Sequence, residues 1–339
     1  MVLPYWFDRP DEEALEIARN ADQAGIDRLW IGEMATFDAF ALAGAIARET
    51  ERIELVVGPL AAGVRSPTAL ALGISSVERL GGRPAHLALG ASSPEIVSGW
   101  HGVPWGSVLT RLRETFEATF PLLQGERANF EGDVVRSRGF RLRTPPTRSE
   151  IAVAVFGPST LNWGARHAPR LVLNLLTEAA IQRLCRRIAE VAESAHRPDP
   201  HACLWQPVAF GPTTELSDES RRQVAAQLSA YLAAPGYRDL FIEAGAPDLV
   251  QRAIAGEPRA GLAGELSPDV LRQFVPTASW QDPTSIASAL ERRFAAGIDE
   301  IAIVPSTAGD PGAERTVAAL ADLWSSWPHT QHTSWDMSL

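Results

Sequence analysis

Short apolar runs of strand length alternate along this chain with longer stretches whose apolar residues recur every three or four positions, the pattern of strands separated by amphipathic helices. The runs at 3–7, 28–31, 53–57 and 85–89 predict four strands. Ala14, Leu15, Ala18 and Ala21 mark a helix that ends at Gly25, and helical patterns follow over 39–49 and 67–80, the latter stopped by Gly81 and Gly82. After a helix over 108–123, residues 129–142 read as an extended excursion closed by Pro145 and Pro146. Strands at 151–156, 171–175 and 202–210 are then separated by helices at 159–167 and 179–194. Residues 217–279 are helical in pattern but broken by Pro235, Pro247, Pro258 and Pro268, which predicts an insertion before a last strand at 300–304 and a helix from 311 to 327.

Eight strands, each followed by helix and with no break in composition, predict an α/β fold of the (β/α)8 TIM-barrel type, with insertions after strand 4 and before strand 8. One domain is expected over residues 1–328, with 329–339 an irregular tail. A doubly wound sheet would need a glycine fingerprint after its first strand, and residues 8–11 contain no glycine.

Composition narrows the chemistry. All 31 basic residues are arginine, which excludes lysine Schiff bases, P-loop lysines and kinase-type ATP lysines. A net charge of −10 argues against binding to nucleic acid or an anionic membrane, and no apolar run approaches the roughly 20 residues of a membrane helix. Cys185 and Cys203 are too few for a thiolate zinc site; no metal site is expected, and free thiols suit a reducing cytoplasm.

In such a barrel, chemistry belongs to the C-terminal ends of the strands. Two turns there, Gly90-Ala91-Ser92-Ser93 and Gly157-Pro158-Ser159, combine small residues, backbone N–H groups and hydroxyls that can cradle a phosphate, although each also reads as an ordinary βα loop. Leu29-Trp30-Ile31-Gly32-Glu33 with Asp38-Ala39-Phe40, then Gly90 to Pro94, Gly99 to Trp105, Phe156-Gly157-Pro158 and Ala296 to Glu300 together resemble, in order and spacing, the luciferase-like superfamily and its coenzyme F420-dependent (deazaflavin) branch.

The resemblance implies a barrel that binds coenzyme F420 at its mouth, commonly as a homodimer, with FMN the alternative. It places the phosphate at Gly90, Ala91, Ser92 and Ser93 and at Phe156, Gly157, Pro158 and Ser159. The ring falls over a strand-three bulge at Gly58-Pro59, where a cis peptide is predicted. The chain departs from the sugar-phosphate dehydrogenases of that branch: Glu33-Met34 stands where they carry an Asp-His pair, and Ser92 or Ser93 where they carry a glutamate.

Glu33 and His101 are the candidate catalytic residues. Glu33 reads either as a proton donor or as a structural carboxylate that pairs an arginine or caps a helix. His101, with Trp100 and Trp105, reads either as a titratable wall of the pocket or as a loop packing its own aromatics. Trp6 is expected to line the pocket. Asp38 reads as a helix cap, and Arg65 and Arg111 as positive charges that offset an anionic coenzyme tail. The expected function is an oxidoreductase that transfers a hydride between F420 and a small organic substrate. An FMN monooxygenase, or a barrel without coenzyme that acts as a binding protein, are the alternatives.

Overall fold

A computed structural model describes residues 1–5 and 9–326. Trp6 and the tail 329–339 lie outside the described residues. Ten strands occur among them: β1 (Arg28–Ile31), β2 (Glu54–Ala61), β3 (Ala85–Gly90), β4 (Arg127–Glu131), β5 (Arg136–Arg141), β6 (Ile151–Ala154), β7 (Arg170–Asn174), β8 (His201–Gly211), β9 (Thr277–Ser279) and β10 (Glu300–Pro305). Seven form a parallel series in the order β1-β2-β3-β6-β7-β8-β10. The first three residues complete it. Val2 donates its amide to the Ile303 carbonyl at 2.7 Å, while Trp30 donates to Met1 and Leu3 donates back to Trp30 at 2.8 and 2.9 Å. Residues 1–3 are therefore the eighth stave, joining β10 to β1, and the fold is the (β/α)8 TIM barrel expected.

Because side chains alternate across a strand, every second residue points into the barrel. Val2, Trp30, Val56, Ala88, Ala152, Val172, Cys203 and Ala302, one from each stave, pack together as the central interior layer. The opposite faces of the staves pack against the surrounding helices in the larger core. Helix starts follow the sequence chemistry. Asp38 caps helix Ala39–Glu49 through Phe40 and Ala41, Ser66 caps Pro67–Gly81 through Ala69, and Thr177 caps Glu178–Ser194 through Ala180.

The excursion after strand 4 is an antiparallel hairpin of β4 and β5. The insertion before strand 8 is a run of five helices from Asp218 to Phe274, tied back to the barrel where β9 pairs with β8. Four features depart from the pattern reading. Strand pairing starts at Met1 instead of residue 3. A π-helical segment, Glu95–Trp100, occupies the stretch read as loop, and a helix at Thr284–Ala295 fills residues the pattern left unassigned. β2 continues to Ala61, four residues past its predicted end, through a register shift between Val57 and Leu60. Among the described residues no helix is long and apolar enough to cross a membrane.

Candidate active site at the barrel mouth

The C-terminal ends of the staves define the mouth. On β2 the Gly58-Pro59 peptide is cis, as predicted, and Gly58 has φ 127°. A side chain at Gly58 would bring its Cβ to 2.2 Å from the Ala88 carbonyl oxygen, so only glycine lets the bulge lie against β3. Gly32, just past β1, and Gly90, at the end of β3, end the neighbouring staves in glycine as well. The space in front of them is taken by neighbours: a Cβ at Gly32 would meet the Tyr5 ring at 3.1 Å, and one at Gly90 would meet Pro59 and Ala154 at 3.3 and 3.4 Å.

Opposite this face, Trp205 on β8 stands one interior layer above Cys203 and meets Trp30 edge to face, ring centroids 5.9 Å apart. Its indole Nε1–H is buried without a hydrogen-bond partner among the described residues. Asn174, in register with Trp205 on β7, donates from Nδ2 to the Tyr237 hydroxyl at 3.4 Å. Tyr237 stacks on Phe156 at 3.8 Å between centroids, and Tyr231 packs against Tyr237 at 4.8 Å. Burial pushes both tyrosine hydroxyls above their ordinary pKa. The insertion thus walls the β6–β7 side with aromatic rings. It also takes up the end of β10, because Gln223 accepts from the Ser306 hydroxyl and from the amides of Thr307 and Ala308 at 2.8, 3.0 and 3.2 Å. Sequence reasoning missed Tyr231, Tyr237 and Gln223, which sit inside a helical run with no local signal of what they will touch. Asn174 and Trp205 were findable as interior positions next to strand ends.

The two expected phosphate turns differ in build. Ser92 adopts a left-handed conformation, φ 62°, and the Ser93 hydroxyl accepts from Ile96 at 3.3 Å at the start of the π-helical segment. Gly157 opens helix Pro158–His167 with no side-chain cap. The Thr160 hydroxyl turns back to the Gly157 carbonyl at 3.0 Å, so the exposed first turn around Ser159 presents the positive end of that helix.

Glu33 stands just beyond β1 with both carboxylate oxygens engaged. Arg65 donates to Oε2 from Nη1 at 2.6 Å and to Oε1 from Nη2 at 2.5 Å, and the Ala39 amide donates to Oε1 at 3.1 Å. Arg65 also reaches Asp38 Oδ2 at 2.5 Å. Ion pairing with Glu33 above all, and with Asp38, raises the Arg65 pKa further. Of the two readings of Glu33, the one that pairs an arginine and caps a helix describes these contacts. His101 lies on an exposed loop beside Trp100, itself 47% exposed, and its amide donates to Ile96. Trp105 covers Arg111, whose guanidinium lies 5.4 Å from the ring centroid.

Comparison with known proteins agrees with this geometry. The luciferase-like monooxygenase family matches residues 9–300. A Mycobacterium tuberculosis protein provisionally named a coenzyme F420-dependent oxidoreductase is 31% identical over 114 residues, an alignment that spans 34% of this chain and 33% of that one. A 5,10-methylenetetrahydromethanopterin reductase of Methanolobus tindarius is 25% identical over 74% of each chain. The coenzyme F420-dependent tetrahydromethanopterin reductase of Methanopyrus kandleri superposes with a TM-score of 0.79 at 15% identity, covering 94% of this chain and 96% of that one. The oxygenating component of 3,6-diketocamphane monooxygenase from Pseudomonas putida, in complex with FMN, superposes at 0.69 and 18% identity, covering 92% and 93%. With a family match over most of its length, this chain belongs to the luciferase-like monooxygenase family.

Proposed function

We propose that the chain is an oxidoreductase that passes a hydride between coenzyme F420 and a small organic substrate held at the mouth. The observation that carries this reading is the buried indole N–H of Trp205, which no group among the described residues satisfies, on the side of the barrel across from the cis Gly58-Pro59 bulge. A flat heteroaromatic ring with carbonyl oxygens fits this feature, because it brings the acceptor that Trp205 lacks. The relatives support F420 as that group, since one protein compared by sequence and one compared by structure carry it in their names.

Gly58 and Pro59 would lie beneath the ring, and the turns at Gly90 to Ser93 and Phe156 to Ser159 would take the phosphate. When bound, the deazaflavin supplies a two-electron hydride donor or acceptor that reacts little with oxygen. The chain's own residues position and exclude. The Phe156–Tyr237 stack and Tyr231 close the β6–β7 side to water. The Glu33–Arg65–Asp38 cluster fixes the opposite rim, so Glu33 acts by holding Arg65 and the first turn of helix Ala39–Glu49 in place. Preorganisation of this kind lowers the cost of aligning donor and acceptor.

An FMN monooxygenase is the second reading, favoured by the FMN-bound neighbour on the same scaffold. The test is anaerobic turnover. The purified protein, given reduced F420 and a panel of ketones, imines and enones, is expected to regenerate the oxidised coenzyme's absorbance with at least one of them. Turnover only with reduced FMN and oxygen would replace the proposal by the second reading.

A further inference from the structure

On the rim of the mouth, a groove of about 530 Å³ runs between the loop after β2, the loop that leads into helix Val108–Leu123, and the tip of the β4–β5 hairpin. Its charged lining is of one sign: Arg65, Arg111 and Arg136, with no carboxylate among the lining residues. The protein treats these three differently. Arg65 is held by Glu33 and Asp38, and Arg136 is an exposed partner of Glu131 at 3.0 Å.

Arg111 is only 5% exposed. Its stem crosses Gly63, where a Cβ would fall 2.2 Å from the arginine Cδ, so the glycine makes room for it. Nη1 donates to the carbonyls of Pro104 and Gly106, each at 3.0 Å. Among the described residues Nη2 is buried without a hydrogen-bond partner, and none of the described acids pairs with this guanidinium. Burial pushes its pKa below the ordinary arginine value. A chain with ten more acids than bases has enclosed this cation without a pairing carboxylate among the described residues. An enclosed charge is costly unless something of opposite sign arrives. Beside it Ser107, exposed and left-handed at φ 45°, opens helix Val108–Leu123 without a side-chain cap, which leaves the positive end of that helix at the same groove.

We propose that this groove is an anion subsite, with Arg111 as its anchor, for a phosphate or carboxylate group of a small molecule. Two sources share that chemistry: the anionic arm of the bound coenzyme, and a separate anionic substrate or effector. The first source rests on the coenzyme reading above, and the subsite itself does not.

Isothermal titration of the whole protein with inorganic phosphate and with citrate, at constant ionic strength, tests it. Saturable binding of one of them is expected, weakened at least about tenfold in Arg111→Gln, as for loss of a charge-assisted hydrogen bond. Should Arg111→Gln fail to fold, Ser107→Asp serves the same purpose, because Asp tolerates the left-handed region and caps a helix while it places a negative charge in the groove. Ser107→Asn, of the same shape without the charge, is expected to bind as the unaltered protein does. No saturable binding by the unaltered protein, or equal affinity in Arg111→Gln and Ser107→Asp, would overturn the proposal. The titration repeated with F420 saturating separates the sources. If phosphate and citrate no longer bind, and Arg111→Gln also weakens F420, the coenzyme's arm fills the groove; if they bind as before, the ligand is separate. A protein that takes up phosphate through Arg111 but binds no F420 would sink the coenzyme reading and leave the subsite standing.

Discussion

Arg28, Glu54, His86, Glu150, Arg170, His201 and Glu300 line the N-terminal end of the barrel. Four residues further along the same staves stand Gly32, Gly58, Gly90, Ala154, Asn174, Trp205 and Val304. At a rise of about 3.3 Å per residue, roughly 13 Å of strand separates a charged floor from a mouth of small and neutral residues. At the floor the charges are spent on one another. Arg28 reaches Glu300 at 2.8 Å and Glu54 at 3.3 Å, Arg170 reaches Glu300 at 2.5 Å, and Trp30 donates to Glu300 at 3.4 Å. The shifted ionisations gather there: burial pushes the His86 and His201 imidazoles below their ordinary pKa, while Arg28 and Arg170 outweigh burial to hold Glu300 below the usual carboxylate range. Perturbed ionisation is often a guide to active sites, but here it marks a closed internal network at the end of the barrel that carries stability. The mouth is identified by the opposite signs, neutral residues and the unsatisfied indole donor of Trp205.

That contrast is breakable first at the floor. Glu300→Gln leaves Arg28 and Arg170 without their shared counter-charge and is expected to cost about 3–5 kcal/mol of unfolding free energy. Denaturant melts would show this, with the F420 affinity of the folded protein unchanged; lost affinity without lost stability would mean that the floor takes part in binding.

At the mouth the expected effects reverse. Ser159→Asp puts a carboxylate in the first turn of helix Pro158–His167, where it should stabilise the fold by about 0.3–1 kcal/mol. Against a bound phosphate it should weaken F420 by tenfold or more. Normal affinity in this variant would remove the turn from the site.

Glu33→Gln is expected to lower stability by roughly 0.5–2 kcal/mol, as for loss of a cap and its partner, and to leave F420 affinity within a few-fold. A fall in turnover of about 10²–10⁴ at unchanged stability would instead make Glu33 the proton donor.

The smallest effect is the pH dependence of the floor. His86, Glu54 and Glu300 all have folded-state pKa values below their unfolded ones, so the unfolded chain binds more protons and stability falls on acidification. The His86 contribution is lost first, below about pH 6.5, and those of the two glutamates follow as the pH drops through about 4.5. Glu150, whose carboxyl burial pushes up, acts in the opposite sense just above the carboxylate range and softens the decline. Melting temperatures measured from neutral pH down to about pH 4 should fall; a flat profile would mean that these groups are not held as described.

The barrel was legible because period-2 and period-3.6 patterns report which face of each element is buried, and a closed ring of eight such units has few alternatives. Gly58-Pro59 and the two small-residue turns were legible for a related reason, since glycine and proline mark backbone conformations directly. Glu33 was half legible: its place at a strand end followed from the pattern, whereas its bond to Arg65 joins positions 32 residues apart that periodicity does not relate. Tyr237 was hidden altogether, because its partners Phe156 and Asn174 are far away in sequence and its own segment reads only as helix after Gly236. The floor was hidden too, since Arg28, His86 and Glu300 each look like an ordinary polar residue at a strand start until the barrel closes around them.

Titration of the purified protein with oxidised F420 and, separately, with FMN, followed by fluorescence, tests the central claim most directly. Saturable binding of F420 in preference to FMN, weakened in Ser159→Asp and unaffected in Glu300→Gln, is the predicted result. Preferential binding of FMN, or no binding of either, would contradict it.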